Sequence, residues 1–408
     1  MRNVAKYKNK NKVLEIFQSK GLGSGMIYFD NAATSFPKPK LIIEAMENYF
    51  FNMGGSVGRS GHKLALATSE LVFETREDLA RLFNVKDSAR IVFTKNVTES
   101  LNIAINGFVE AGDTVLTTSM EHNSVMRPLR YLEQIGKISV IIVQTHNRGL
   151  VAPSAFEDVF KKEKVKLVVV HHASNVTGSL APVGEIAQLA HKYGSCILVD
   201  AAQTAGAYPI NVVADGIDML AFTGHKSLLG PQGTGGLFIR EGIEIEPLIR
   251  GGTGSTSEKE IQPGFMPDKL ESGTLNTIGI SGLGAGVRYI LEQGVEQIRK
   301  VEMDLTGEFV KRAERIKGVK FYGPRDLRTK VSVVSFNIQG YPPSEVAHIL
   351  DRDFDIACRP GLHCAPAAHK TLGTLPQGTV RFAFGLFNTG EEIDQGLKAL
   401  YEISRRDV

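Results

Sequence analysis

The most informative residue of this chain is Lys226, which leaves an apolar run, Met219-Leu220-Ala221-Phe222, and enters glycine-rich backbone that continues to Gly236. A short apolar run closed by Thr223-Gly224 reads as a buried strand, so the lysine sits at a strand exit and not on a solvated helix face. A lysine desolvated in such a place loses its proton more readily and becomes a nucleophile able to form an imine. Asp200 ends a second apolar run, Cys196-Ile197-Leu198-Val199, and a carboxylate buried there needs a cation facing it. Thr94-Lys95-Asn96-Val97-Thr98 leaves another strand and opens a helix, whose free N–H groups and hydroxyls suit an anion such as phosphate. Each feature alone has a plainer reading as a surface lysine or a helix cap.

Together they are more specific. An aspartate that keeps a ring nitrogen protonated, an imine-forming lysine and a phosphate cup are the parts that pyridoxal 5'-phosphate requires. A second kind of chemistry resides in Cys364, which follows His363 and lies five residues after Arg359, surroundings that favour a thiolate. Cys196 and Cys358 lie in apolar strand-like runs and read as small core residues. Cys358, His363, Cys364 and His369 lack the tight Cys-x-x-Cys pair of a zinc site, so no metal is expected.

The elements that must position these groups alternate. Strands are expected at residues 90–93, 114–118, 139–143, 166–171, 196–199, 219–222 and 236–239, with helices over 65–83, 98–109, 124–135, 154–162 and 183–193. That order predicts an α/β fold with a mostly parallel, mixed central sheet covered on both faces. After residue 280 the pattern changes to a helix over 284–310, strands at 331–338, 355–358 and 379–384, and helices over 344–352 and from 391. This is a smaller α+β unit. The expected organisation is a basic, frayed extension over residues 1–25, a large cofactor-binding domain over 26–283, and a small domain over 284–408 that carries the cysteine loop. Residues 26–39 are expected to pack toward the small domain, and Met26 to begin the folded body.

Composition narrows the class. With 42% hydrophobic and 22% charged residues among 408, neither disorder nor a membrane-spanning helix is expected, since no apolar run approaches the ~20 residues such a helix needs. The net charge of +3 comes from the extension, where six Lys or Arg face only Glu15. Without interleaved aromatics or a recognition motif it does not predict nucleic-acid binding. Three cysteines make no disulfide framework and no secretory leader is evident, so a reduced, cytoplasmic setting is expected.

The ordered motifs carry a resemblance. Tyr28-Phe29-Asp30-Asn31-Ala32-Ala33, Glu121-His122-Asn123, Ser174-Asn175-Val176-Thr177-Gly178, Val199-Asp200-Ala201-Ala202-Gln203, Thr223-Gly224-His225-Lys226, Glu271-Ser272-Gly273-Thr274 and Arg359-Pro360-Gly361-Leu362-His363-Cys364 resemble the class V, fold-type I pyridoxal-phosphate enzymes, within them the cysteine desulfurase and selenocysteine lyase family. The likeness spans residues 26–400. It implies that Lys226 anchors the cofactor, Asp200 pairs with its ring nitrogen, His122 stacks on the ring and Gln203 bonds its phenolic oxygen. Thr98, Thr223 and His225 would hold the phosphate, and Gly273 and Thr274 would reach the phosphate of a neighbouring subunit in a homodimer with shared sites. Asn175, Arg381 and Arg359, with Ala32 and Ala33 nearby, would receive the substrate. Catalysis would rest on Lys226, His122 and Cys364, with sulfur passing from L-cysteine to a persulfide on Cys364 and on to an acceptor protein, as in iron-sulfur cluster assembly. Selenocysteine lyase or another class V lyase or epimerase is the alternative, and a non-catalytic sulfur carrier a more distant one. Pro360 and Leu362 depart from the threonine and histidine of many family members.

Overall fold

A computed structural model describes residues 25–58, 61–146 and 148–406. The extension expected over residues 1–25 lies, apart from Gly25, outside the described residues. The first strand, β1 (Ile27–Tyr28), belongs to a small sheet considered below. The next seven, β2 (Ile91–Thr94), β3 (Thr114–Thr118), β4 (Ser139–Val143), β5 (Leu167–His171), β6 (Cys196–Asp200), β7 (Met219–Thr223) and β8 (Gly235–Ile239), form one sheet in the order β2-β8-β7-β6-β5-β3-β4. All seven fall where the apolar runs predict them. The strands β5, β7 and β8 are buried along their whole length, as expected where helices cover both faces.

Only β8 runs antiparallel to its neighbours. The connection from β7 is glycine-rich and holds no crossover helix, so the chain returns beside the strand it has just left. Gly236 is required there, because a Cβ would stand 2.3 Å from the Phe222 ring. In the parallel part, register aligns His171 with Asp200 and Asp200 with Ala221. The carboxyl ends of these strands therefore open on one edge, which is where open α/β sheets place their sites.

A second sheet is antiparallel, in the order β12-β13-β10-β9, from β9 (Val319–Tyr322), β10 (Val333–Ile338), β12 (Arg359–Gly361) and β13 (Thr379–Ala383). Its core is aromatic: Phe309 is fully buried and its ring meets those of Phe321, Phe336, Phe382 and Phe384. The remaining strand, β11 (Ile356–Ala357), pairs in parallel with β1, and Asp30 bridges to Ala383. The same N-terminal stretch donates from Thr34 Oγ1 and Lys38 Nζ to the carbonyl of His225, at 2.9 and 3.0 Å. It thus straps the second sheet to the loop holding Lys226.

The structure corrects several expected elements. The single helix over 284–310 is two helices, Thr277–Gln293 and Val295–Ala313, broken at Gly294, whose φ of 79° ends the first; only glycine adopts that angle readily. The strand expected at 355–358 is divided into β11 and β12. The loop after Cys364 contains the helix Pro366–Leu372. Replacing Phe309 with alanine should cost about 3–5 kcal/mol, the range for emptying an aromatic core position. A guanidinium unfolding curve on the purified variant measures this directly.

Candidate active site

Five strand ends, those of β2, β3, β5, β6 and β7, contribute groups to the sheet edge. Asp200 closes β6 and is buried, its Oδ1 accepting from the Ala202 N–H at 2.9 Å. Burial pushes its carboxyl up to about 6; the Ala202 N–H and Lys226 pull it down and Glu121 pushes it up. Near it lies a pair to which the motifs assign no role. Glu121, fully buried, shares Oε1 with Thr118 Oγ1 at 2.6 Å and with His171 Nδ1 at 2.8 Å. Burial opposes charge on His171, yet Glu121 and Asp200 raise its pKa above the ordinary value. The local signal was a histidine at the end of one apolar run and an aspartate at the end of the next; their register is seen only in the sheet.

Lys226 follows β7 in the turn that leaves the sheet. Its amine has no hydrogen bond and no ion pair among the described residues. Burial lowers its pKa to about 8; Asp200 opposes this, and Arg381 and Arg359 reinforce it. His122 caps the helix Asn123–Gln134, where its Nδ1 accepts from the Ser124 N–H at 3.0 Å. Burial first, then Lys226, Arg359 and Arg381, hold it near 4. It is therefore neutral, with its proton on Nε2.

Two further atoms next to Lys226 lack partners. Thr223 Oγ1 and His225 Nδ1 are both enclosed and unbonded, a state that costs stability unless a ligand supplies the missing bond. Thr98 is exposed in the first turn of the helix Val97–Phe108, which follows β2. Register aligns Thr94 with Gly235 and Gly235 with Thr223, so this helix start shares an edge with Thr223. Gln203 and Ala32 line one cavity, with Gln203 Nε2 donating to the Ala32 carbonyl at 3.1 Å. Ala33 stays in the same turn, its N–H donating to Asp30.

The second sheet presents two arginines. Arg359 on β12 and Arg381 on β13 are direct cross-strand partners, an arrangement of like charges that is destabilising without an anion. Arg381 is 1% exposed; Nη2 meets Asp30 Oδ1 at 2.7 Å and Nη1 donates to the Asn175 carbonyl at 3.1 Å. Its Nε is buried without a partner. The role of Asp30 as counter-ion was not legible in its turn motif. Arg359 has no carboxylate partner among the described residues and instead reaches Cys364 Sγ at 3.6 Å.

Cys364 is the one exposed cysteine; burial pushes the Cys196 thiol up to about 11 and the Cys358 thiol up to about 12. The cysteine loop is bent tightly, with φ of 49° at His363 and 57° at Cys364, a region that non-glycine residues enter at a cost of about 1–3 kcal/mol each. Three contacts enforce it. The Asn123 N–H donates to the Cys364 carbonyl at 2.8 Å, Asn175 Nδ2 to the His363 carbonyl at 2.7 Å, and the Ala365 N–H to the Leu362 carbonyl at 2.8 Å. Two of these donors come from the large sheet's edge. The loop thus faces His122 and Asn175 and not open solvent alone.

Gly273 and Thr274 stand apart from these groups. Both are exposed, and Gly273 has a φ of 92°. Their segment is fixed from below by Glu271, which pairs with Arg76 at 2.7 Å and accepts from the Phe93 N–H at 2.6 Å. The described residues hold no group of three or more His, Cys, Asp or Glu placed to bind a metal, and no helix long and apolar enough to cross a membrane.

The sequence and the fold match known proteins. The family model "Aminotransferase class-V" matches residues 27–395. A "Probable cysteine desulfurase" from Methanothermobacter thermautotrophicus is 38% identical, covering 93% of this chain and 94% of that protein. Another of the same name from Pyrococcus abyssi is 36% identical over 93% and 94%. Among solved structures, the apo cysteine desulfurase from Thermococcus onnurineus NA1 is 36% identical with a TM-score of 0.89, covering 94% of this chain and 96% of that one. The cysteine desulfurase CsdA of Escherichia coli is 26% identical with a TM-score of 0.83 over 94% and 96%.

The electrostatics of Lys226 lead to a measurable outcome. An amine reacts only when neutral, so acylation of Lys226 in the cofactor-free protein should reach half its limiting rate near pH 8. An ordinary lysine would do so near 10.5. Peptide mass spectrometry across a pH series reads the midpoint.

Proposed function

The chain belongs to the class V aminotransferase family, and from that footing we propose that it is a cysteine desulfurase that converts L-cysteine to L-alanine and retains the sulfur as a persulfide on Cys364. The observation that carries this reading is the seating of one exposed thiol, contacted by Arg359 and tied through its own carbonyl to the helix that His122 caps. The cofactor of the family is pyridoxal 5'-phosphate, and the residues fit it. Thr223 Oγ1 and His225 Nδ1 are orphaned where a phosphate needs donors, and Lys226 has a free amine beside the buried Asp200. When bound, the cofactor supplies an electron-poor ring that stabilises negative charge at the substrate α-carbon.

The chain's own groups do the remainder. The paired guanidiniums of Arg359 and Arg381, with Asn175, receive the substrate carboxylate, because an anion between them relieves their repulsion. Lys226 Nζ, half deprotonated near pH 8, takes the α-proton. Asp200, oriented by the Ala202 N–H, would face the cofactor's ring nitrogen and keep it protonated, with His171 opposite it in register. The neutral His122 offers a flat ring and its Nε2–H. Cys364 Sγ then attacks the substrate sulfur: an S–S bond forms, the C–S bond breaks with its electron pair left on carbon, and that carbon takes up a proton as alanine departs.

An exposed persulfide suits delivery to an acceptor protein, and a persulfide survives in the reduced cytoplasm only if handed on quickly. We also assign the chain to a homodimer. Phe50 and Phe51 are 66% and 76% exposed and their rings adjoin at 5.2 Å, an apolar pair that a second copy could cover. The exposed Gly273 and Thr274 are then available to the neighbouring subunit's phosphate site.

Two variants separate the roles. Lys226→Ala should lose the cofactor's visible absorbance. Cys364→Ser should keep that absorbance and release less than about one hundredth of the alanine from L-cysteine, the scale of losing a covalent nucleophile. Full alanine release by Cys364→Ser would refute the assignment, and activity confined to L-selenocysteine would move it to the lyase alternative.

A further inference from the structure

Remote from the cysteine loop, Lys330 is 3% exposed, yet its ammonium has no hydrogen bond and no ion pair among the described residues. Its backbone is pinned: the residue bridges to Ser179, and its carbonyl accepts from Arg299 Nη1 at 3.2 Å. The side chain is almost enclosed, so its ammonium is poorly hydrated and gains more from an anion than an exposed lysine would. Burial alone lowers its pKa to about 8, which leaves it largely charged at neutral pH.

Lys330 lines an open cavity of about 210 Å³ at the free edge of β9, together with Arg148, Lys320, Tyr322, Arg325 and Glu314. The charge there is unbalanced. Glu314 is engaged by Arg325 at 3.1 Å, whereas Arg148 and Lys320 have no carboxylate partner among the described residues. Lys320 Nζ instead lies 5.2 Å from the centre of the Tyr322 ring. The Tyr322 hydroxyl accepts from Asn337 Nδ2 at 3.4 Å, so its own hydrogen is free to donate. Three cations without a carboxylate partner among the described residues and a hydroxyl donor line one cavity, and the backbone of its most buried cation is pinned.

We propose that this cavity is a binding site for a small, multiply charged anion of the phosphate class, with Lys330 as its buried anchor and Arg148 and Lys320 closing over the ligand. The site is separate from the cofactor's phosphate cup, which lies at the carboxyl edge of the other sheet. Such a ligand would neutralise Lys330 in place, because each charge-assisted bond to phosphate replaces water that burial has removed.

The test is calorimetric titration of the cofactor-loaded protein with inorganic pyrophosphate at matched ionic strength, so that the cofactor site is already filled. Saturable binding is expected in the parent. Lys330→Met, which keeps the side chain's volume and removes the buried charge, should weaken it about tenfold or more. Arg148→Gln, an exposed change with little risk to folding, should weaken it less. Unchanged alanine release by both variants checks that they are folded. Equal affinity in the parent and Lys330→Met, or no saturable binding in the parent, would overturn the proposal.

Discussion

The arrangement depends first on the buried ion pair of Arg381 with Asp30. A guanidinium 1% exposed cannot be left uncompensated, and removing one partner of such a pair typically costs about 3–5 kcal/mol. Asp30 lies on the N-terminal strap, Arg381 on β13, and the carbonyl that Arg381 also engages belongs to Asn175 at the large sheet's edge. One side chain therefore locks three segments that are distant in sequence. Because β12 is registered against β13, fixing Arg381 also fixes Arg359, and through it the cysteine loop.

From this frame the electrostatics of the site follow. Two arginines near Lys226 and His122 help to keep the amine easily deprotonated and the imidazole neutral. Asp200 counters them from β6, near a buried carboxylate and histidine. The same excess of positive charge prepares the site for anions: a phosphate at Thr223 and His225, a carboxylate at the arginine pair. Burial alone would leave the lysine reactive but indifferent to substrate; the arginines add the preference.

Much of this was legible in the sequence, for physical reasons. Strands buried on both faces are continuous apolar runs, so all seven strands of the large sheet could be read directly, and Lys226 and Asp200 could be placed at strand exits. Cys364 was distinguishable from Cys196 and Cys358 because those two lie in apolar runs. What could not be read was long-range pairing. Nothing local to Asp30 predicts a partner 351 residues away, and neither Glu121 nor Lys330 signals that its side chain turns inward. The break at Gly294 was also hidden, since both flanking helices keep an apolar period and glycine alone does not end a helix.

The central claim is that sulfur leaves cysteine onto Cys364 Sγ in a site assembled by these pairings. Its most direct test is mass spectrometry of the cofactor-loaded protein after brief mixing with isotopically labelled L-cysteine, without reductant or acceptor. The account predicts one labelled sulfur per chain, located on the peptide containing Cys364, and none on those containing Cys196 or Cys358. Alanine release with no sulfur on Cys364, or label on another cysteine, would contradict it.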